Sequence, residues 1–247
     1  MIHDWLVPDW PAPANVHALA TTRHGGVSVG PYASLNLGDH VGDDGAAVAV
    51  NRRMLQARLP TQPVWLKQVH GSGIADAGHV LGVPEADGSV ARLPNIVCAV
   101  LTADCLPVLL CDRAGTVVAA AHAGWRGLAD GVIEAAVKAM AVEAGETLAW
   151  LGPAIGPRAF EVGPEVRQIF MEHDPAAALA FIPSAHAGKW LADIYLLARQ
   201  RLGRMGVTQV FGGAYCTFSD EERFYSYRRD GVTGRMASLV WLAACRD

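Results

Sequence analysis

Along this chain, apolar positions recur with two periods, one helical and one strand-like. Residues 46–59 place Val48, Leu55 and Leu59 on one stripe and are stopped by Pro60, which predicts a helix. The clearest helical pattern is 128–144, where Leu128, Val132, Ile133, Ala136 and Met140 repeat at helical spacing and Gly145 ends the run. Residues 189–203 carry Trp190, Ile194, Leu197 and Ala198 in the same way. Strands are predicted at 64–69, 96–102, 106–111, 116–122, 207–211 and 236–244, with a turn at 112–115. The run IVCAVLT at 96–102 is apolar throughout, as a buried strand would be. Strands and helices mix without strict alternation, and neither a Pro- or Ser/Gly-rich linker nor an internal repeat divides the sequence. The expectation is one α+β domain over residues 1–247, with mixed β-sheets packed against helices.

Composition narrows the function classes. The 247 residues are 51% hydrophobic and 18% charged, far from the profile of a disordered chain and enough for a core without disulfides or structural metal. A net charge of −4 argues against a general nucleic-acid or polyanion binder. Five cysteines, at 98, 105, 111, 216 and 245, form no CxxC pair, and their odd number fits no complete disulfide framework, so a reducing compartment is expected. MIHDWLVPDW lacks the basic start and apolar run of a signal peptide. The most apolar stretch, 93–111, is interrupted by Pro94, Asp104 and Pro107, which predicts no membrane span. The expected location is the cytoplasm.

The turn at 112–115 suggests where chemistry could gather. If it closes a four-residue hairpin loop, Cys111 faces Thr116 and Cys105 faces His122, both at the open end and on one side of the sheet. Directly opposed Cβ atoms lie about 4.5–5.5 Å apart, close enough to share an ion or form a thiolate–imidazole pair. His70 ends another strand-like run, WLKQVHG, and a third strand reaching the same edge would add a third donor. Thiolate and neutral imidazole suit Zn²⁺, and three protein ligands leave a fourth position open, as in catalytic sites. Two plain readings compete: an inert core cysteine and a histidine that merely ends a strand.

The motifs KQVHG (67–71), TADCLPVLL (102–110), AHAGWRGLADGV (121–132), GPAIGPRAFEVG (152–163) and FYSYRRDGVTGRMAS (224–238) closely resemble the YfiH-like family. Its members were formerly labelled multicopper polyphenol oxidases or laccase-domain proteins. The resemblance runs from TRHGGVS (22–28) almost to the C-terminus. It implies a YfiH-like fold and a zinc-dependent purine nucleoside phosphorylase acting on adenosine, inosine and guanosine. Phosphorolysis of methylthioadenosine and deamination of adenosine are also attributed to the family. The partners implied are a small nucleoside and phosphate. The family's zinc ligands correspond to His70, Cys105 and His122 of this sequence, which are therefore expected as metal-binding and catalytic residues.

Other residues have two readings each. Arg126, in GWRG ahead of the predicted helix at 128, could contact phosphate near a helix N-terminus or be a surface arginine on a tight turn. For Arg228 and Arg229 a solvated or structural role is favoured. Asp104 is a general base, a cap, an ion-pair partner or a structural carboxylate. GVSVG (26–30) matches the G-x-S-x-G pattern, but Pro31 and Tyr32 follow instead of a helix, so it reads as a loop. Arg23 and Ser28, inside the family pattern, are expected to line the site.

Two rival functions use the same residues. A copper-dependent polyphenol (laccase-type) oxidoreductase would use the same two His and one Cys for Cu²⁺, yet none of the nine histidines forms the His-x-His pairs that feed a trinuclear cluster. A peptidoglycan-precursor editing hydrolase would use Cys105 as nucleophile and His122 as base. HExxH and the H-x-E…P-C-x-x-C layout of zinc deaminases are absent.

Overall fold

Strands that are apolar on both faces must be covered on both faces, and this chain does so by stacking four layers. A computed structural model describes residues 4–244; Cys245 and the first three residues of MIHDWLVPDW lie outside the described residues. In chain order the elements are β1 (Val16–Ala20), α1 (Gly45–Gln56), β2 (Ile74–Asp76), β3 (Gly88–Ala91), β4 (Cys98–Thr102), β5 (Leu106–Asp112) and β6 (Val118–Ala123). There follow α2 (Trp125–Ala129), α3 (Val132–Met140), β7 (Thr147–Leu151), β8 (Glu161–Val162), α4 (Pro164–His173), β9 (Phe181–Pro183) and β10 (Trp190–Ala192). The chain closes with α5 (Ile194–Arg204), β11 (Gln209–Gly212), α6 (Tyr227–Asp230) and β12 (Met236–Leu242).

The large sheet has the order β11-β7-β5-β6-β3-β2 and is mixed, since β11–β7 and β2–β3 pair in parallel and the other neighbours antiparallel. An antiparallel sheet β1-β12-β4 packs on one face, and a small sheet β8-β10-β9 stands apart. Period-2 alternation decides which core each side chain enters. Val108, Leu110, Ala119, Ala121 and Ala149 point to the side covered by Ile133, Val137, Leu197 and Leu202 of α3 and α5. Leu109, Cys111, Val118, Ala120 and Leu148 point the other way, against Cys98, Val100 and Val240. The outer face of β4 and β12 is closed by Leu35, Leu37 and Leu55. The expected α+β class with mixed sheets is what the chain builds.

Several boundaries differ from the expectation, each for a local reason. The predicted helix at 128–144 is two helices, because Gly131 takes φ +88° and ends α2 before α3 begins. The helix predicted from 189 starts at Ile194, where the Asp193 carboxylate accepts the Leu196 N–H, and residues 190–192 form β10 instead. Residues 64–69 form no strand and touch their neighbours through isolated bridges, Val64 with Cys98 and Lys67 with Glu85. Helix α4 escaped the pattern because Val166 and Phe170 alone are buried on it.

The β5–β6 hairpin sets the site. Asp112 closes it: its carboxylate accepts the N–H groups of Thr116 and Val117 and the Thr116 hydroxyl, while its own N–H donates to the Val117 carbonyl. The loop is therefore 113–116 rather than 112–115, and His122 faces Pro107 rather than Cys105. Each partner moves by two residues, which preserves the face, so Cys105 and His122 still share one side.

Candidate functional site

Cys105 stands one residue before β5, and His122 lies near the end of β6, on the face toward the smaller sandwich sheet. His70 comes from the segment that replaces the predicted strand. Gln68 pins that segment to β4: its side-chain oxygen accepts the Leu101 N–H at 2.7 Å and its amide nitrogen donates to the Leu101 carbonyl at 2.9 Å. His70 itself takes φ +62°, a left-handed turn that costs energy for a residue with a Cβ.

Asp87 compensates. Its wholly buried carboxylate accepts the N–H groups of Val69 (3.1 Å), His70 (2.9 Å) and Gly71 (2.7 Å), and the Nδ1–H of His122 at 2.8 Å. One carboxylate thus fixes the turn that carries the first histidine and the ring orientation of the second. With Nδ1 committed to Asp87, Nε2 is the His122 nitrogen left for an ion. Burial alone would raise the Asp87 pKa, but the bonds from His122 and the Gly71 N–H hold it below the ordinary carboxylate range.

The donor atoms of His70, Cys105 and His122 lie within 4.8 Å of one another and could hold a metal ion. The Cys105 sulfur is 3.9 Å from His70 Nε2, and the two imidazoles meet edge to face, with centroids 4.8 Å apart. Burial opposes a charge on Cys105, yet the neighbouring His122 overcomes it and draws the thiol down to about 6. His122 responds in the opposite sense: burial would lower it, but Cys105 and Asp87 raise it to about 9. The cluster is therefore poised as thiolate and imidazolium, ready to exchange a proton for a cation. By contrast, burial pushes Cys98 and Cys111 up to about 12.

Two glycines allow the approach. A Cβ on Gly124 would lie 2.9 Å from the Cys105 sulfur and 3.0 Å from His70 Cδ2. A Cβ on Gly127 would lie 2.7 Å from the Gly71 carbonyl oxygen, so α2 could not settle on the His70 turn. Asp104, at φ +90°, gathers the remaining walls: its carboxylate accepts the Thr217 hydroxyl and the Arg228 N–H, both at 2.6 Å, and its carbonyl accepts the Ile155 N–H. Asp104 thus ties three segments together and itself lines the cleft.

The cleft above the cluster is lined by Trp125, Ile155, Phe160, Tyr227 and Arg228, and Arg126 reaches into it. Arg126 is exposed, sits inside α2 rather than on a turn before a helix, and stacks at 4.5 Å over the Trp125 ring. Arg229 is structural, bound to the carbonyls of Thr217, Phe218 and Phe224. Ser28 is not at the cleft: its hydroxyl is buried between Asp43 and Asn51, in a loop and not at a nucleophile elbow. Arg23 is also displaced, with its guanidinium on the carbonyls of Ala33 and Glu221 and its charge over Tyr225, beside a separate depression. Both residues shape the 22–34 loop instead of lining the site.

Asp87, Gln68 and Arg235 are site residues that sequence reasoning missed. Asp87 sits in EADG, which reads as a turn, and its partners lie 16 to 35 residues away.

The model of the family described as multi-copper polyphenol oxidoreductase laccase matches residues 17–243. Among curated proteins, a purine nucleoside phosphorylase of Pseudomonas aeruginosa is 61% identical, over 96% of this chain and 98% of its own length. The purine nucleoside phosphorylase YfiH of Escherichia coli is 58% identical over the same shares. Among solved structures, a Neisseria meningitidis protein superposes with a TM-score of 0.94 at 55% identity, covering 98% of this chain and all of that one. YlmD of Geobacillus stearothermophilus follows at 0.89 and 32% identity, covering 97% and 96%. With its fold and nearly its whole length shared with these proteins, the chain belongs to the YfiH-like, laccase-type family.

Proposed function

We propose that this chain is a zinc-dependent purine nucleoside phosphorylase of the cytoplasm, acting on adenosine, inosine, guanosine and methylthioadenosine, with deamination of adenosine as a side activity. The observation that carries the reading is the cluster of His70, Cys105 and His122 beneath a cleft with both an aromatic wall and a free guanidinium. The names of the relatives support it, and so does the donor set: one thiolate and two imidazoles suit Zn²⁺ and leave a coordination position open. One three-donor cluster among the described residues favours a mononuclear ion over a multicopper centre, although Cu²⁺ would bind the same donors in vitro. The four described cysteines are free thiols, which agrees with a reducing compartment.

Zinc held by His70, Cys105 and His122 would supply Lewis-acid chemistry to the cleft. The chain's own residues would do the rest. Trp125 and Phe160 offer flat apolar surface for the purine, and Arg126 offers N–H groups to phosphate. A phosphate oxygen attacks C1′, the C1′–N9 bond breaks with its electron pair going to the purine, and the proton of hydrogen phosphate ends on the base. Asp87 keeps the His70 turn and the His122 ring in place throughout.

The test has two arms. Protein purified without added metal should carry about one zinc per chain, and Cys105→Ala should lose it. Adenosine should yield adenine and ribose 1-phosphate in phosphate buffer but persist without phosphate. Identical nucleoside loss in both buffers would remove the phosphorylase reading.

A further inference from the structure

The cluster divides its cleft into two lobes of unlike chemistry. One, of about 270 Å³, is walled by Trp125, Ile155, Phe160 and Ile194. The other, of about 440 Å³, is lined by Gln68, Thr102, His122 and Arg235, and no carboxylate is among its lining residues. His70, Cys105, Arg126 and Tyr227 border both.

Arg235 is the unexplained group in the second lobe. It is half-buried, and among the described residues no carboxylate lies within ion-pair distance of it. Its position is nevertheless built. The backbone N–H donates to Asn36 Oδ1, and the stem occupies space beside Gly38, where a Cβ would come within 2.8 Å of Arg235 Cγ. Nη1 donates to the carbonyls of Thr233 and Gly234, both at 3.0 Å. That consumes two of the five guanidinium N–H groups and locks the plane. The Nε and Nη2 edge, the edge that grips an oxyanion in bidentate fashion, has no described protein partner. Burial disfavours its charge, and Cys105 and Asp104 offset that from a distance without bonding it, so the free edge is left facing the lobe for an anion. Arg52, Arg201 and Arg223 all have a carboxylate as counter-charge.

We propose that the Nε/Nη2 edge of Arg235, aided by Arg126, is the seat of inorganic phosphate, and that the Trp125–Phe160 lobe takes the purine. The assignment rests on the phosphorylase reading and refines it: phosphate and base occupy separate lobes with the ribose over the cluster between them, as displacement at C1′ requires. Arg126 is exposed and makes no side-chain hydrogen bond among the described residues beyond its stack on the half-buried Trp125, whereas Arg235 is held, so Arg235 provides the specificity for phosphate.

The experiment is titration of the zinc-loaded protein with inorganic phosphate alone, by calorimetry, for wild type, Arg235→Gln and Arg235→Lys. Losing a bidentate charge-assisted contact should weaken phosphate binding by roughly 10-fold or more in Arg235→Gln. Arg235→Lys keeps the charge without the fork and should fall between the two. Zinc content and melting temperature report folding for each variant, and adenosine affinity should change by less than about 3-fold if the lobes are separate. Unchanged phosphate affinity in a folded Arg235→Gln protein, or equal loss of phosphate and adenosine, would overturn the assignment. Failure of the parent reading looks different: wild type would bind phosphate through Arg235, yet phosphate would not accelerate nucleoside cleavage.

Discussion

Two histidine–carboxylate pairs of similar length differ sharply in burial. His122 and Asp87 meet at 2.8 Å with side chains 4% and 0% exposed, whereas His186 and Glu161 meet at 2.6 Å with 78% and 31% exposed. The shorter contact is the weaker device. Bonds from Ser184 and His186 hold Glu161 below its ordinary pKa, but water and salt screen the pair and either residue can leave without disturbing a core. The buried Asp87 carboxylate accepts four N–H groups, and two of the three cluster residues depend on it. Burial and the number of dependants, rather than contact length, decide what such a pair is worth.

The strongest way to break this comparison is Asp87→Ala. It strands three backbone N–H groups and an imidazole, and should cost about 3–5 kcal/mol in urea unfolding together with most of the bound zinc. The acid limb gives a second reading. Because the folded-state pKa of Asp87 lies below 3.8, its stabilisation is complete above pH 3.8 and disappears as pH falls through the depressed value. Asp87→Asn should therefore flatten the acid unfolding slope; an unchanged slope would mean that other carboxylates dominate it.

Next in size is the contrast among thiols. Cys105→Ser should lose its zinc, while Cys98→Ser and Cys111→Ser keep theirs and are destabilised by a buried hydroxyl, by about 1–3 kcal/mol. In chelated protein, alkylation of Cys105 should rise with a midpoint near pH 6, since thiolate is the reactive form, while Cys98 and Cys111, held near 12, stay unmodified. Mass spectrometry of the labelled peptides would distinguish the three.

A smaller effect is expected of Gly124→Ala, whose methyl would press on the Cys105 sulfur and weaken zinc affinity by about 10-fold in competition with a chelator. His186→Ala belongs at the bottom of the scale, with melting temperature and zinc content unchanged. A loss approaching that of Asp87→Ala would refute the ranking by burial.

The hairpin carrying Cys105 and His122 could be read from sequence because a turn flanked by apolar runs constrains parity even when the loop is misplaced by one residue. For His70 the motif resemblance points to the right residue, while the strand expected to carry it does not form. No strand carries it to the sheet edge; the Gln68 side chain stands in for a peptide link to Leu101. The break at Gly131 was hidden because the apolar spacing of α3 continues that of α2 across it. Arg235 and Asp87 could not be recognised at all, since what defines each is partners supplied by distant segments: Asn36 and Gly38 for one, His122 and the His70 turn for the other.

The attachment of Gln68 to β4 has a consequence for the lifetime of the molecule. It fastens His70 to the smaller sandwich sheet, whereas Cys105 precedes β5 and His122 lies within β6 of the larger one. An ion held by all three is then a clasp across the seam between two layers, shortening the loops available to the unfolded chain much as a covalent cross-link does. With the proposed ion in place, metal supply would set how long the folded chain survives. Starved of its ion, the protein should open first along this seam, with faster hydrogen exchange at the Leu101 and Gly71 amides and earlier clearance by proteases, before its sheets themselves are lost.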